Sequence, residues 1–472
     1  MEKLIIFGAG QAYRNLRNRI EFDFSQVEIV ALLDNDKSKQ GKVVDGLRVY
    51  SPEEALKLDY DYIIVLGLYA SEMESQLLSE GVDRERIVKA YNFKQYARWF
   101  KAKELNIFCS NKAMSTVLAN QGRHPVVLFS SLIYAGGPLA LLRMAQILKK
   151  NGYDVVVVVE ENGPALKEYL KSGLSVIIDQ NIRMGISTEA SWLANASVIV
   201  LNGLQVAPFM ASLPSNIPTV WWLHDPEEYY ARMGFDFDSL DLVNVDVYAV
   251  SDRAWEPLDK RFPYLKKQLL RYGVPQMKIY DNPSRFSGKL VFAVLGKVHS
   301  IKGQDIFLEA VSYMSQDKRS QCEFWIVGNT DDKFADNLRE KAADCSNFRF
   351  MGEYDREGVN KLYAQISVVV TPSRADMLPT VTVEAAMHGI PSIVTEDAGT
   401  AAFIKSGING MVMKSNDARD LAAKMEWAVE HRRELKQMGE ASKSIYEDYF
   451  TMDIFENSVL KIIDKNLNKN IL

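Results

Sequence analysis

Cysteine and histidine are scarce in this chain, at three and five in 472 residues. Cys109, Cys322 and Cys345 share no metal-ligand spacing and are too few for a disulfide framework. That usage suits a reducing cytoplasm, with the cysteines as small buried or half-buried residues. Long apolar runs are missing as well, since nothing approaches the roughly 18 uninterrupted residues of a membrane-spanning helix. Nor does one sign of charge dominate. The net value is −5 with both signs interspersed, so the electrostatic footprint of a nucleic-acid-binding protein is absent. The start, MEKLIIFGAG, passes from a charged turn into a strand-like run without a small-residue cleavage site, and the expectation is that the mature chain begins at Met1. With 47% apolar and 25% charged residues there is ample material for buried sheets. At roughly 100–200 residues per domain the length gives about three domains.

The first hundred residues alternate apolar runs with helical stretches: KLIIFGAG, QAYRNLRNRI, VEIVALLDND, then DYIIVLG before SEMESQLLSEGV. This is βαβ punctuation, and nearly all-apolar strands predict a small parallel sheet covered on both faces. Gly8-Ala9-Gly10 sits where a strand turns into a helix, and Asp34 ends the next strand at a distance suited to a ribose. The third glycine of a dinucleotide fingerprint is missing, with Tyr13 in its place. Either this turn faces a ligand or it packs helix on strand.

Residues 101–124 fit no clean period and read as a connector. A second α/β unit follows in HPVVLFSSLIYAGGPLALLRMAQILKKNGYDVVVVVEENG. It predicts a strand, a Gly136-Gly137-Pro138 turn, an amphipathic helix from about Pro138 to Lys150, a Gly152 stop and a β-branched strand. A helix N-terminus beside a glycine loop is open to a ligand. A third unit starts at KLVFAVLGKVHSIKGQD and runs through EFWIVGN and SVVVTPS to PSIVTED. Two doubly wound sheets of similar size imply a cleft between them.

The segment Thr371 to Pro391, TPSRADMLPTVTVEAAMHGIP, carries the most chemistry. It predicts a buried strand end, a loop with Asp376, and a helix with Pro379 near its start and Gly389 at its stop. Backbone N–H groups around Thr380 to Thr382 then suit phosphate. Glu384, a turn later, can accept two hydroxyl hydrogen bonds at once, the geometry a ribose diol offers. Asp376 would lie on the other side of the phosphates, where a sugar would sit.

Residues 1 to about 100 resemble the small Rossmann-like N-terminal domain of bacterial sugar-modifying proteins, including certain sugar acyltransferases, through IIFGAG, LLDNDKSKQG and VDGLRVYSPEE. That resemblance puts Gly8, Gly10, Asp34 and Asp36 near a nucleotide-sugar or related ligand. GKVHSIKGQD, FWIVGN, VTPSRADMLPTVTVEAAMHGIPSIVT and SGINGMVM, in this order, are similar to the nucleotide-binding lobe of retaining glycosyltransferases of family 4. AGGPLALLRMAQILKKNGYDVVVV looks like the start of that family's acceptor lobe. Asp376 and Glu384 occupy the acidic positions of the family's E-x7-E motif. The resemblance implies an α/β fold of two facing Rossmann-like lobes (GT-B) preceded by a smaller Rossmann-like domain. The expected boundaries are 1–100 for the accessory domain, 101–124 for the connector, 125–285 for the acceptor lobe, 286–450 for the donor lobe and 451–472 for a helix packing back on the acceptor lobe.

Carried over by position, Glu384 would hold the ribose and Asp376 would lie by the donor sugar. Lys297 and Lys302 would neutralise the diphosphate as it leaves, where charge develops. Pro379, Thr380 and Val381 would line the phosphates, and Gly136 and Gly137 would let the acceptor-lobe loop close on them. His224, in VWWLHDPEEYY, resembles the family's active-site histidine by its position; the alternative for a histidine beside tryptophans is a packed or hydrogen-bonded one. Lysine at 297, where relatives commonly carry arginine, loses the bidentate fork, and aspartate at 376 shortens the reach by one methylene. The donor lobe has no Asp-x-Asp triplet and the chain no His/Cys cluster of ligand spacing, so no metal or other cofactor is expected beyond the nucleoside-diphosphate sugar itself, a UDP-sugar favoured.

The expected activity is transfer of a hexose, with retention, to a glycan or lipid-linked glycan of a bacterial surface polysaccharide. The expected place is the cytoplasm; peripheral contact with the inner face of the membrane and homo-oligomerisation stay open. Two rivals stand beside it: a nucleotide-sugar epimerase of the same fold, and a catalytically silent partner of another transferase. An NAD oxidoreductase is disfavoured by the missing third glycine.

Overall fold

The computed structural model describes residues 1–19, 21–66, 69–89, 95–96, 98–101, 106–108, 125–180, 192–193, 196–210, 213–214, 216–233, 235, 237, 240–280, 282–329, 333–343 and 345–469. Cys109 and most of the expected connector lie outside them. The chain divides into two compact units, Met1–Tyr248 with Leu258–Leu265 and Val459–Leu472, and Ala249–Pro257 with Lys266–Ser458.

The first unit holds two sheets. In the N-terminal one the strand order is Val43–Val44, Leu47–Tyr50, Val27–Leu33, Glu2–Phe7, Tyr62–Val65, Ile87–Lys89. All neighbours are parallel except the hairpin at the Val43–Val44 edge. Side chains alternate across a strand, so Leu4 and Ile6 enter one core while Ile5 and Phe7 enter the other. Both faces are therefore covered, as the continuous apolar run KLIIF requires. Strand order reverses at Glu2–Phe7, which places Gly8-Ala9-Gly10 at the switch point where ligands of such sheets bind.

The second sheet runs Val245–Ala249, Thr219–Leu223, Val198–Asn202, Pro125–Ser130, Asp154–Val159, Ser175–Ile178, Asn106–Phe108. Asn106–Phe108, inside the expected connector, is an antiparallel edge strand on Ser175–Ile178. Helix Gly136–Lys150 begins two residues before the expected Pro138, with the glycines as its first turn. It buries Ala140, Met144 and Leu148, one stripe at i, i+4 and i+8. Helix Ala70–Ser79 of the N-terminal domain packs against helix Glu227–Met233, which follows His224. At the C-terminal end of helix Met452–Asn468, Asn466 Nδ2 donates to Asp246 Oδ2 at 3.1 Å, and Lys465 and Lys469 pair with the same carboxylate at 2.8 and 2.9 Å. Burial pushes the Asp246 carboxyl up, and the two ammonium groups outweigh it and hold it below its usual range.

The second unit is built on one all-parallel sheet: Phe348–Gly352, Cys322–Val327, Leu290–Leu295, Val368–Thr371, Ser392–Thr395, Gly410–Met413. Numbered along the chain, this order is 3-2-1-4-5-6, that of a dinucleotide-binding sheet. Its core is made by Phe292, Phe307, Phe324 and Val370 with Leu421 and Met425. The reversal lies between Leu290–Leu295 and Val368–Thr371, so the loops carrying Lys297, Lys302 and Asp376 leave the sheet at neighbouring carboxyl ends. Among the described residues no helix is long and apolar enough to cross a membrane.

Candidate functional site

At the switch point of the second unit the backbone is tightly drawn. Gly296 has φ +125°, and a Cβ on Gly328 would stand 2.0 Å from the Gly296 carbonyl oxygen. Lys297 follows, exposed, its carbonyl accepting from Gln304 Nε2 at 3.2 Å. Lys302 closes the short turn Ser300–Lys302, which His299 caps by accepting the Ile301 N–H on Nδ1 at 3.2 Å. The next residue, Gly303, has φ +73°, and a Cβ there would stand 2.1 Å from the Pro372 carbonyl oxygen. Only glycine lets the two loops approach so closely. The result is a direct pair, Lys302 Nζ to Asp376 Oδ2 at 2.5 Å. Two residues 74 apart in sequence, chosen from motif positions alone, thus share one ion pair.

Helix Thr380–Met387 starts after Pro379, whose side chain cannot cap it, and among the described residues no side-chain cap hydrogen bond is made there. The amides of Thr380 and Val381 therefore present the partial positive end of the helix without a side-chain acceptor. Glu384 lies one turn in, 6% exposed, and neither of its oxygens is idle. Oε1 accepts from Arg356 Nη1 at 2.8 Å and Oε2 from the Tyr363 hydroxyl at 2.9 Å. Arg356 and Tyr363 are seven residues apart on helix Arg356–Tyr363, two turns along one face. Sequence reasoning missed both; the i, i+7 spacing in REGVNKLY was the available signal. Burial beside the Glu384 carboxylate pushes the Tyr363 phenol well above its usual range, so it stays a donor. Behind it the buried His388 ring stacks on Tyr363, with centroids 4.7 Å apart, and among the described residues neither ring nitrogen has a hydrogen-bond partner. Burial, with Arg285 and Arg356 nearby, lowers His388 to about 4.

In the first unit the acceptor-lobe candidates also meet. His224 follows strand Thr219–Leu223, and its Nε2 lies 2.5 Å from Asn202 Oδ1 at the end of the adjacent strand. A Cβ on Gly137 would stand 3.2 Å from His224 Cδ2, tighter than an ordinary contact, so the glycine makes room for the ring. Trp222 meets the same imidazole edge-on at 4.6 Å. Burial lowers His224 to about 3, leaving a neutral imidazole that offers one donor and one acceptor. Asp225 beside it is pushed up to about 6 by burial, against the amides of Leu204 and His224 that it accepts from. Its Oδ2 receives the Leu204 N–H at 2.7 Å.

The N-terminal turn is closed by its own residues. Asp34 Oδ2 accepts from the Ala9 N–H at 2.9 Å and from Lys39 Nζ at 3.1 Å, and Oδ1 accepts from the Asp36 N–H at 2.9 Å. Asp36 in turn accepts from Ser38, whose hydroxyl and amide hold the Asp36 carboxyl below its usual range. Gly8 needs its φ of +109°, and Lys39 Nζ stands 3.2 Å from where a Gly10 Cβ would be. These contacts put Asp34 to work on the turn itself.

Comparison with known proteins agrees with this architecture. Residues 289–431 match the family model described as glycosyl transferases group 1, residues 121–259 the one described as glycosyl-transferase family 4, and residues 1–88 the one described as C2185-like, N-terminal. Both lobes thus carry glycosyltransferase-type domains, and the fold they form is GT-B. Anabaena HepE, solved in complex with UDP and glucose, is similar with a TM-score of 0.59 at 15% identity over 73% of this chain and 100% of its own. WaaG, described as a glycosyltransferase involved in lipopolysaccharide biosynthesis, is similar with a TM-score of 0.52 at 17% identity over 71% of this chain and 98% of its own. D-inositol 3-phosphate glycosyltransferase of Geodermatophilus obscurus is 27% identical over 159 residues, 32% of this chain. The chain spans 35% of that curated relative's length.

Proposed function

We propose that this chain is a retaining hexosyltransferase that takes a sugar from a nucleoside diphosphate, a UDP-sugar favoured, and passes it to a glycan or lipid-linked glycan. The observation that carries this reading is the set at the second unit's switch point: an uncapped helix start, the buried carboxylate of Glu384 and the Lys302–Asp376 pair. The polysaccharide context is supported by WaaG's description, and the donor by HepE's bound UDP.

Glu384 keeps lone pairs beyond the two used by Arg356 and Tyr363, and these accept the ribose diol. The amides of Thr380 and Val381 take diphosphate oxygens. When the diphosphate arrives, Lys302 shifts from Asp376 toward it, and Lys297 adds a second charge on the same side. Asp376, freed from its ion pair, accepts from a sugar hydroxyl. Within the first unit, His224 and the Gly136-Gly137 helix start are the groups this reading assigns to sugar recognition. The bond between the anomeric carbon and phosphate oxygen breaks while the acceptor oxygen bonds the same carbon on the same face. The acceptor proton passes to the departing diphosphate, so no enzyme base is required. Lysine charge lowers the barrier because it meets negative charge that develops only as the bond breaks. Cytoplasmic residence belongs to the same proposal, as do peripheral membrane contact and self-association for meeting a lipid-linked acceptor.

The test is product analysis with the full chain, a panel of nucleotide sugars and lipid-linked or free glycan acceptors. Nucleoside diphosphate release that depends on acceptor, with the donor's anomeric configuration kept in the product by proton NMR, is the expected result. Release of an altered free nucleotide sugar without acceptor would instead support an epimerase, and an inverted product would overturn retention.

A further inference from the structure

We infer that Arg374 is the positioning residue of the Lys302–Asp376 pair, a role that rests on reading that pair as facing diphosphate and sugar. Arg374 lies two residues before Asp376 and touches neither partner of the pair in the contacts it makes. Its backbone N–H donates to the Ile301 carbonyl at 2.7 Å, directly before Lys302. Nη1 donates to the Ser300 carbonyl at 2.5 Å and to Asp305 Oδ1 at 2.9 Å, Nη2 to Asp305 Oδ2 at 2.7 Å, and Nε to Asn416 Oδ1 at 3.1 Å. Asn416 holds its place in the left-handed region at φ +51°.

Those four bonds commit four of the five guanidinium N–H groups to the chain itself. Arg374 is therefore not poised as a diphosphate ligand. What it does is fasten three segments to the loop that carries Asp376: the turn that ends in Lys302, the start of the following helix at Asp305, and the loop at Asn416. Around this fork the remaining contacts agree. Gly303 lets the Lys302 turn press on Pro372, and the Asp376 carbonyl accepts the Gly399 N–H at 2.9 Å. The pair sits between points that are fixed on both sides, while its own side chains are free to exchange partners when a diphosphate arrives. Such preorganisation matters because a displacement of about 1 Å at a reacting centre can cost about a hundredfold in rate. Lysine at 374 could carry the charge but not the planar fork that reaches Asp305, Ser300 and Asn416 together.

The experiment compares full-length wild type with Arg374→Gln, Arg374→Lys and Asp305→Asn by two readings. The first is acetylation of Lys302 by acetic anhydride, followed by mass spectrometry with exposed Lys57 as internal standard. An ammonium held by a carboxylate is shielded, so Lys302 should label several times faster in Arg374→Gln and Asp305→Asn, with Arg374→Lys between them and wild type. The second is turnover of UDP-glucose. Arg374→Gln should lower kcat by about a hundredfold with KM within about twofold, whereas in a Lys302→Ala background the same change should lower kcat by less than about twofold. Unchanged Lys302 labelling in the variants of an active enzyme, or equal kcat losses in both backgrounds, would overturn the positioning role. Faster labelling in variants of a protein that turns over no nucleotide sugar would retain that role and remove the transferase reading. If Arg374→Gln does not fold, Asp305→Asn and Arg374→Lys decide by the same labelling.

Discussion

The Tyr363 hydroxyl donates to Glu384 Oε2 at 2.9 Å inside the second unit, with no exposed surface left on the tyrosine. A carboxylate buried to this degree needs donors, and Tyr363 together with Arg356 supplies them. The bond thus fixes the orientation of the group that the proposed function assigns to ribose.

Tyr363→Phe should cost roughly 1.5–3 kcal/mol of stability, the worth of a hydrogen bond to a charged group. It should also weaken nucleoside diphosphate binding, because Glu384 can then rotate away from the diol. Denaturant midpoints and calorimetric titration with UDP check both, and a variant that loses neither would contradict the assignment.

Stability should fall with pH through His388. Its folded value is lowered from 6.5 to about 4. The unfolded chain binds the proton near 6.5 while the folded chain refuses it. Folding is therefore penalised progressively as pH drops from about 6.5 to about 4, by about 3 kcal/mol in all, with no further loss from this group below that. His388→Phe keeps a ring against Tyr363 and has nothing to titrate, so its unfolding midpoint should depend less on pH across that window.

Gly137→Ala should separate stability from turnover. Alanine favours a helix by up to about 1 kcal/mol over glycine, yet its Cβ would stand 3.2 and 3.4 Å from His224 Cδ2 and Cγ. The ring must yield by a few tenths of an ångström. Thermal unfolding should move little while kcat falls, and an unchanged kcat would show that the position of His224 is not critical.

Asp34→Asn tests the N-terminal turn. Asparagine keeps one acceptor oxygen but turns an N–H donor toward either the Ala9 or the Asp36 amide, where only an acceptor serves, and it loses the charge facing Lys39. The first unit should melt at lower temperature while UDP affinity, carried by the second unit, stays the same. A loss of UDP affinity without a loss of stability would give Asp34 a ligand instead of a turn.

The α/β class and the two Rossmann-like lobes were legible because a strand buried on both faces must be apolar throughout, as VVVVV and SVVV are. Motif order did the rest: Lys302 and Asp376 were named from position, and the fold joins them. Arg356, Tyr363 and Arg374 were not legible, since each acts through a partner 28, 21 or 69 residues away that only the sheet order brings near. The edge strand Asn106–Phe108 was missed for a similar reason, as three residues carry no period and their pairing with Ser175–Ile178 is long-range. Helix Gly136–Lys150 starts earlier than glycine propensity suggests, and the close approach of His224 to Gly137 is a tertiary contact that propensity does not carry.

The central claim is that Glu384 anchors a nucleoside diphosphate, and calorimetric titration of UDP into full-length wild type and Glu384→Ala tests it most directly. The account predicts measurable binding by wild type and a loss of about a hundredfold or more in the variant, as two hydrogen bonds to a charged group disappear. Equal affinity in the two proteins, or no nucleotide binding by the wild type across UDP, GDP and ADP, would contradict it.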